Sequence, residues 1–204
     1  MGRAVRGFVI LAGLFMPLSA TLAATPRVGE AAPTFTLKDV AGKEYSLADL
    51  KGKFVVLEWV NYDCPFVGKH YKSGNMQKLQ KQYTEKGVTW LSICSSAEGK
   101  QGHFEMPDLK ERIAKEKAVP TAYLIDESGD VGKKYEAKTT PHMFVINPEG
   151  VLLYAGGIDD KATTDTDDIA SATNYVRAAL DAAMAGQEVK VSASKPYGCS
   201  VKYK

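Results

Sequence analysis

The sequence predicts an α/β fold, because strand-like and helix-like segments alternate along a single chain of 204 residues. Residues 54–60 and 88–94 are almost continuous runs of apolar, β-prone residues, the pattern of strands that are buried on both faces of a sheet. Each run is followed by a segment with helical spacing. We therefore expect a central mixed β-sheet flanked by helices.

The first helix and the N-terminal elements have recognisable boundary signals. Pro65 suits the first position of a helix, residues 73–75 interrupt it, and Gly87 ends it. Before it, an N-terminal β-hairpin is expected over residues 35–46, followed by one helical turn. The later elements are expected to be a helix over 107–117, a strand over 120–125, a short helix ending near 135, a hairpin of strands 142–146 and 151–155, a helix over 169–185, and a C-terminal extended arm over 187–204.

Composition narrows the possible functions. With 45% apolar and 25% charged residues, the chain has the composition of one globular domain. Its 26 basic residues are scattered and not clustered, so we expect no nucleic-acid partner. We also expect no cofactor.

The first 23 residues have the features of a signal peptide. Arg3 and Arg6 precede an apolar stretch over residues 8–22, and small residues precede a suitable cleavage site. An uncleaved anchor is the alternative, but about 15 apolar residues fall short of the ~20 that a spanning helix needs. We expect residues 1–23 to be removed and residues 24–204 to form a domain without a membrane span. This domain would be periplasmic or secreted, in an oxidising compartment.

Cys64 is the candidate nucleophile, because it lies where the strand over 54–60 should pass into a helix. The N–H groups and the dipole of a helix N-terminus stabilise a thiolate, which is the reactive form of cysteine. The neighbouring Asp63 carboxylate disfavours the Cys64 thiolate, to an extent that depends on where this carboxylate points. The alternative is a buried, inert cysteine.

Several motifs together resemble the thioredoxin superfamily, in the redoxin or peroxiredoxin-like branch often called alkyl hydroperoxide reductase/thiol-specific antioxidant. They are Val-Gly-Glu-Ala-Ala-Pro at 28–33, Lys-Gly-Lys-Phe-Val-Val-Leu at 51–57, a single Cys-Pro-Phe-Val at 64–67, and Thr-Pro-His-Met-Phe-Val-Ile at 140–146. The resemblance extends over nearly all of the chain after the signal peptide. It implies a thioredoxin-like fold.

The resemblance also implies roles for individual residues. Pro141 matches the cis-proline that faces the reactive cysteine in this superfamily. Glu58 matches a buried carboxylate that relays protons, with a carboxylate at the strand edge as the alternative. The substrate-binding residues implied in this way are Thr140, Pro141, Pro65, Phe66 and Asn61.

Two departures from the family patterns affect the expected chemistry. Val67 replaces the second cysteine of the Cys-x-x-Cys motif, so a mixed disulfide at Cys64 needs a distant cysteine or an external thiol to release it. Asn61 stands where peroxiredoxins have a threonine. None of the arginines after the signal peptide is expected to polarise a peroxide; they are Arg27, Arg112 and Arg177. Thiol-dependent peroxidase activity is therefore the alternative and not the first prediction.

Cys199 is the candidate resolving cysteine. Its segment resembles the C-terminal Pro-Tyr-Gly-Cys element of an uncharacterised peroxiredoxin-like subgroup, and we expect it to fold back and form a disulfide with Cys64. By the chain-entropy model, such a bridge would stabilise the fold by up to roughly 5 kcal/mol. An exposed tail thiol and a purely structural disulfide are the alternatives. Cys94 lies in an apolar strand, where we expect a small core residue.

The sequence thus predicts a periplasmic or secreted thiol–disulfide oxidoreductase with one nucleophilic cysteine. Its partners would be a protein or small-molecule thiol or disulfide, alternatively a hydroperoxide, together with an external reductant. A second alternative is a redox-inactive binding domain or a copper chaperone, with a site drawn from Cys64, Cys199, His70 and His142. We expect no metal.

Overall fold

The computed structural model describes residues 1–2 and 26–204. The predicted signal peptide therefore lies outside the described residues, apart from its first two positions. Within the described part of the chain, no helix is long and apolar enough to cross a membrane.

Nine strands and five α-helices follow one another in the described residues. The strands are β1 (Thr36–Asp39), β2 (Glu44–Ser46), β3 (Val55–Trp59), β4 (Thr89–Cys94), β5 (Ala122–Ile125), β6 (Thr139–Thr140), β7 (His142–Ile146), β8 (Leu152–Gly156) and β9 (Cys199–Ser200). The helices are α1 (Pro65–Lys72), α2 (Asn75–Thr84), α3 (Met106–Lys115), α4 (Asp130–Lys134) and α5 (Tyr175–Met184), with short 3-10 helices at Leu47–Leu50 and Asp167–Ala170. The expected hairpin, the helical turn after it and the break between α1 and α2 are confirmed.

Seven strands form one mixed sheet in the order β2-β1-β5-β4-β3-β7-β8. The central strands β3, β4 and β5 are parallel, and β7 pairs antiparallel with β3. Every residue of β3, β4 and β7 is buried, as expected for strands covered on both faces. The predicted mixed α/β architecture is confirmed.

Alternation along β3 separates two hydrophobic cores. Val56 and Val60 belong to the core beneath α1, α2 and α5, whereas Val55, Leu57 and Trp59 belong to the core on the opposite face. Since successive strand residues point to opposite faces, Glu58 must point into the first core with its even-numbered neighbours. A carboxylate thus lies under the helix that begins at Cys64.

The predicted last helix over 169–185 is wrong in its first third. A 3-10 helix ends at Ala170, and α5 begins only at Tyr175. Asn174 caps α5, since its Oδ1 accepts a hydrogen bond from the Arg177 backbone N–H at 2.8 Å. The Tyr175 N–H donates to the Ile158 carbonyl. This tertiary hydrogen bond interrupts the helix, although the helical spacing of residues in the sequence continues through residues 169–175.

A second sheet of only two short strands escaped prediction. β6 pairs antiparallel with β9, with Thr139 opposite Ser200 and Thr140 opposite Cys199. Two-residue strands have no periodicity that a sequence can display. This pairing fastens the C-terminal arm to the turn that precedes β7.

Replacing Asn174 with Ala should lower the free energy of unfolding by about 1 kcal/mol, because the N-cap acceptor is lost. Urea unfolding followed by circular dichroism measures the change. Asn174→Ser, which keeps a capping oxygen, should remain within about 0.5 kcal/mol of wild type. Equal losses in the two variants would contradict the capping role.

Candidate active site

Cys64 occupies the junction between β3 and α1, as the sequence predicts. Its backbone is extended and it is the N-cap residue of α1, with Pro65 at the first helical position. Its side chain is only 1% exposed. The sulfur thus lies at the positive end of a helix and beneath other parts of the chain.

The turn before β7 covers Cys64 from one side. The Thr140–Pro141 peptide bond is cis, as expected. The Cys64 thiol donates a hydrogen bond to the Thr140 carbonyl at 3.0 Å. The Thr140 hydroxyl is buried and has no hydrogen-bond partner within the described residues. The Thr140 carbonyl therefore accepts a hydrogen bond from the Cys64 thiol. The Thr140 hydroxyl is available to donate a hydrogen bond to a Cys64 thiolate.

The C-terminal arm, paired with this turn, also covers Cys64. The Cys199 backbone N–H donates to the Cys64 sulfur at 3.4 Å, across 135 positions of sequence. All three cysteines are free in this structure, and the expected Cys64–Cys199 disulfide stays a prediction.

Gly198 makes this approach possible. Its φ is +135°, and a Cβ atom there would overlap the Thr140 carbonyl oxygen. A side chain at this position would therefore collide with the backbone that the arm pairs with.

The surroundings shift the pKa values of the two thiols in opposite directions. Burial raises the pKa of Cys64, but hydrogen bonds from the Cys199 thiol, the Cys199 N–H and the Val67 N–H outweigh it, and the net pKa is lowered. Burial and the hydrogen bond to Cys64 raise the pKa of Cys199 to about 11. Of the two thiols, Cys64 is therefore the one whose surroundings favour ionisation, and Cys199 is the one whose surroundings favour the protonated form.

The Asp63 carboxylate is paired with an arginine that the sequence did not place here. The Arg112 guanidinium extends from α3 and binds the Asp63 carboxylate at 2.9 Å and the Tyr62 carbonyl at 2.7 Å. It also binds Glu116 at 2.9 Å. Arg112 therefore neutralises Asp63 and holds the loop before Cys64. Its position on a helix surface gave no sequence signal for this contact.

Glu58 is the fourth residue of β3, a strand in the interior of the sheet, and it is fully buried, so the alternative of a carboxylate at the strand edge is wrong. Its oxygens accept four hydrogen bonds, from Tyr71, Gln80, Trp90 and Ser92. Burial raises the pKa of Glu58, although these hydrogen bonds lower it in part. All four donors lie on α1, α2 and β4, and proton relay to Cys64 stays a prediction.

The other predicted substrate-binding residues differ in their burial and in their contacts near Cys64. Pro65 is exposed at the start of α1, and the Phe66 ring packs on Tyr197 of the arm at 5.9 Å. The side chain of Asn61 is buried and joins two loops, binding the Gln101 carbonyl at 3.2 Å and the Asp63 N–H at 2.9 Å.

Neither histidine of the copper alternative has a hydrogen bond to a cysteine. His70 binds Tyr197 and Asn75, and His142 accepts from the Lys138 backbone N–H at 3.3 Å. In the part of the chain that the structure describes, no three His, Cys, Asp or Glu side chains are grouped as metal ligands. Cys94 is buried, with its sulfur 3.5 Å from the Gly102 carbonyl oxygen.

A cysteine at the end of a buried parallel strand, opposite a cis-proline in a mixed sheet, defines a thioredoxin-like redox protein. The chain belongs to the AhpC/TSA family, which matches residues 28–155. It is similar to thiol-disulfide oxidoreductase ResA of Bacillus thuringiensis subsp. konkukian (strain 97-27), with 28% identity over 72% of this chain and 76% of that protein. Thioredoxin-like protein YneN of Bacillus subtilis (strain 168) is 32% identical over 61% of this chain and 68% of that protein.

Solved structures show the same fold. An uncharacterized conserved protein from Geobacillus kaustophilus superposes with a TM-score of 0.71 at 28% identity, covering 94% of this chain and 98% of that one. A putative thiol:disulfide interchange protein DsbE from Chlorobium tepidum has a TM-score of 0.52 at 24% identity, over 64% of this chain and 85% of that one. The predicted thioredoxin-like fold is thereby confirmed.

Replacing Glu58 with Gln should remove a pH dependence of stability. Because the folded protein binds the Glu58 proton more tightly than the unfolded chain, wild type loses stability as pH rises from about 4.3 through the folded pKa. The amide of the Glu58→Gln variant does not titrate, so the stability of wild type relative to the variant should fall with rising pH. Urea unfolding between pH 4 and pH 8 measures both curves.

Glu127→Gln, at an exposed position, is the matched control and should run parallel to wild type. Parallel curves for wild type and Glu58→Gln would contradict the raised pKa.

Replacing Gly198 with Ala should release the arm and expose Cys64, because the new Cβ would collide with the Thr140 carbonyl. We expect alkylation of Cys64 by iodoacetamide to become about tenfold faster, in line with the usual cost of overpacking. Peptide mass mapping of the labelled protein measures the rate. Gly52→Ala is the control, since Gly52 also has a positive φ but no atom near its Cβ position. An unchanged rate in Gly198→Ala would show that the arm does not shield the sulfur.

Proposed function

We propose that this protein is a thiol–disulfide oxidoreductase in which Cys64 is the nucleophile and Cys199 the resolving cysteine. The observation that carries the proposal is the hydrogen bond from the Cys199 N–H to the Cys64 sulfur at 3.4 Å, which places Cys199 beside the nucleophile. The names of the ResA relatives and the AhpC/TSA family membership support the same class of reaction.

The first step is attack by the Cys64 thiolate on a substrate disulfide. A mixed disulfide forms between Cys64 and one substrate sulfur, and the other substrate sulfur leaves as a thiolate. The lowered pKa of Cys64 supports this role, since the thiolate is the attacking species. Because Cys64 is buried beneath residues 198–199, this step requires the arm to move aside for a disulfide to reach the sulfur.

The second step is resolution by Cys199. Its sulfur attacks the Cys64 sulfur, a Cys64–Cys199 disulfide forms, and the second substrate sulfur leaves as a thiol with the proton that Cys199 gives up. The substrate disulfide has then gained two electrons and the enzyme has lost two. An external thiol reductant returns the two enzyme sulfurs to thiols. The reverse sequence would oxidise a substrate dithiol.

Disulfide chemistry fits the site better than the peroxidase alternative. A hydroperoxide needs its leaving oxygen polarised, and the nearby cation, Arg112, is occupied by Asp63, Glu116 and the Tyr62 carbonyl. The donors near the Cys64 sulfur belong to Cys199, to Val67 at the start of α1 and to the Thr140 side chain. They stabilise the thiolate that thiol–disulfide exchange requires.

The proposed partners are a protein or small-molecule disulfide and an external thiol reductant. The signal-peptide pattern of residues 1–23 supports work in the periplasm or outside the cell, where such disulfides persist. The buried position of Cys64 favours substrates with a flexible or exposed disulfide that can replace the arm at Thr140.

Replacing Cys64 with Ser should lower the thiol-dependent reduction of insulin at least about 100-fold, because the hydroxyl is not ionised at neutral pH. Cys199→Ser should instead accumulate a mixed disulfide at Cys64, seen as added mass in the intact protein. Insulin turbidity and mass spectrometry are the measurements. Cys94→Ala, away from the sulfur pair, is the control and should keep activity within about twofold of wild type. Wild-type turnover by Cys199→Ser without a trapped adduct would refute the resolving role.

A further inference from the structure

Tyr197 lies two residues before Cys199 and is at the centre of a buried chain of hydrogen bonds. Its hydroxyl donates to Asp159 Oδ1 at 2.5 Å and is 3.1 Å from His70 Nε2. His70 Nδ1 is 2.9 Å from the Asn75 side-chain amide nitrogen. The chain thus connects α1 and α2 with the loop after β8, and the arm supplies its middle member.

The chain has a single direction. The Asn75 amide nitrogen can only donate, so His70 Nδ1 must accept and the ring proton must lie on Nε2. His70 Nε2–H then donates to the Tyr197 oxygen, which leaves the Tyr197 proton for Asp159. Burial, and then the charge of Lys69, lower the pKa of His70 to about 3, so the imidazole is neutral as this pattern requires. Each side chain in the chain thus donates one hydrogen bond to the next side chain.

The same side chain is also held from α1. Phe66 packs edge-on against the Tyr197 ring, and the Lys69 ammonium lies 6.0 Å from the ring centre. Since α1 begins directly after Cys64, these contacts tie Tyr197 to the helix whose N-terminus holds the nucleophile. Tyr197, two residues before Cys199, therefore contacts the first turns of the helix that follows Cys64.

We propose that Tyr197 is a positioning residue that sets the effective concentration of the Cys199 thiol at Cys64, acting through the hydrogen-bond chain from Asn75 to Asp159. This inference rests on the proposed resolving role of Cys199. A ladder of two residue pairs is too short to order the arm by itself. After Cys199 the arm is held by hydrogen bonds from the Val201 N–H to the Lys138 carbonyl at 3.1 Å and from the Ala97 N–H to the Lys202 carbonyl at 2.9 Å, so Tyr197 is the anchor on the side that precedes the cysteine. Further contacts of the arm lie at Ser194 and at Tyr203.

Loss of the Tyr197 hydroxyl has a defined consequence. It leaves the His70 Nε2–H and one oxygen of Asp159 without their partner, and both side chains are almost completely buried. Water can reach these groups only if the arm moves away from α1. Hydration of the two unpaired groups therefore shifts the equilibrium of the arm toward an open position. Cys199 would then spend less time against Cys64.

The experiment measures the equilibrium between the Cys64–Cys199 disulfide and reduced glutathione in Tyr197→Phe, which reports the effective concentration of Cys199. We expect a decrease of about tenfold, the size for a hydrogen bond to a charged group. The pH profile of Cys64 alkylation should move to higher pH, because the donors from Cys199 recede. A role of Tyr197 in stability alone would move neither readout.

Tyr83→Phe is the matched control. Tyr83 also donates its hydroxyl to an aspartate, Asp181 at 2.9 Å, but it joins α2 to α5 and does not touch the arm. Asn75→Ala is a second variant that leaves the arm itself unaltered, and it frees His70 to place its proton on Nδ1. We expect it to lower the effective concentration about threefold, as for a neutral hydrogen bond.

A decrease in Tyr197→Phe and Asn75→Ala with wild-type behaviour in Tyr83→Phe would support the inference. Wild-type values in Tyr197→Phe, or equal decreases in Tyr197→Phe and Tyr83→Phe, would overturn it and leave the resolving role of Cys199 intact. Failure of the wild-type protein to form a Cys64–Cys199 disulfide in glutathione buffers would overturn the proposed resolving role and this inference with it.

Discussion

The site depends on one interaction, the pairing of Thr140 with Cys199 above the Cys64 sulfur. The Thr140 carbonyl and the Cys199 N–H both contact the sulfur, and Gly198 allows the two backbones to approach. The arm therefore does two things at once: it supplies donors that favour the Cys64 thiolate, and it closes the route to that thiolate. A substrate must compete with the arm for the edge at Thr140, and reactivity and access are coupled for that reason.

The site favours the Cys64 thiolate by hydrogen bonds and by the helix N-terminus. Arg112 neutralises Asp63, so the charge next to Cys64 in sequence has little effect on it in space. Glu58 is separated in its own network of four donors beneath α1. Hydrogen bonds act only at contact, whereas charges act over longer distances. The pKa of Cys64 therefore depends more strongly on the position of Cys199 than it would if a charged side chain stabilised the thiolate.

The sequence predicted those elements most accurately whose burial or turn residues produce a pattern within a few neighbouring residues. The apolar runs of β3 and β4, and the break between α1 and α2 at Gly74, were predicted within a few residues. The predicted thiol–disulfide oxidoreductase class agrees with the names of the relatives. The last helix was predicted too long, because helical spacing continues through residues that tertiary hydrogen bonds hold out of the helix. The pairing of β6 and β9 escaped prediction because two residues show no period.

Sequence alone was enough to predict the mixed α/β fold, the place of Cys64 at a strand-to-helix junction and the cis peptide bond before Pro141. Each of these rests on neighbouring residues or on a short motif. Only the tertiary structure decided that Glu58 meets four donors, that Arg112 takes up Asp63, and that Tyr197 lies between His70 and Asp159. These contacts join residues that are tens of positions apart, and side-chain direction across such distances is set by packing, which no periodicity encodes.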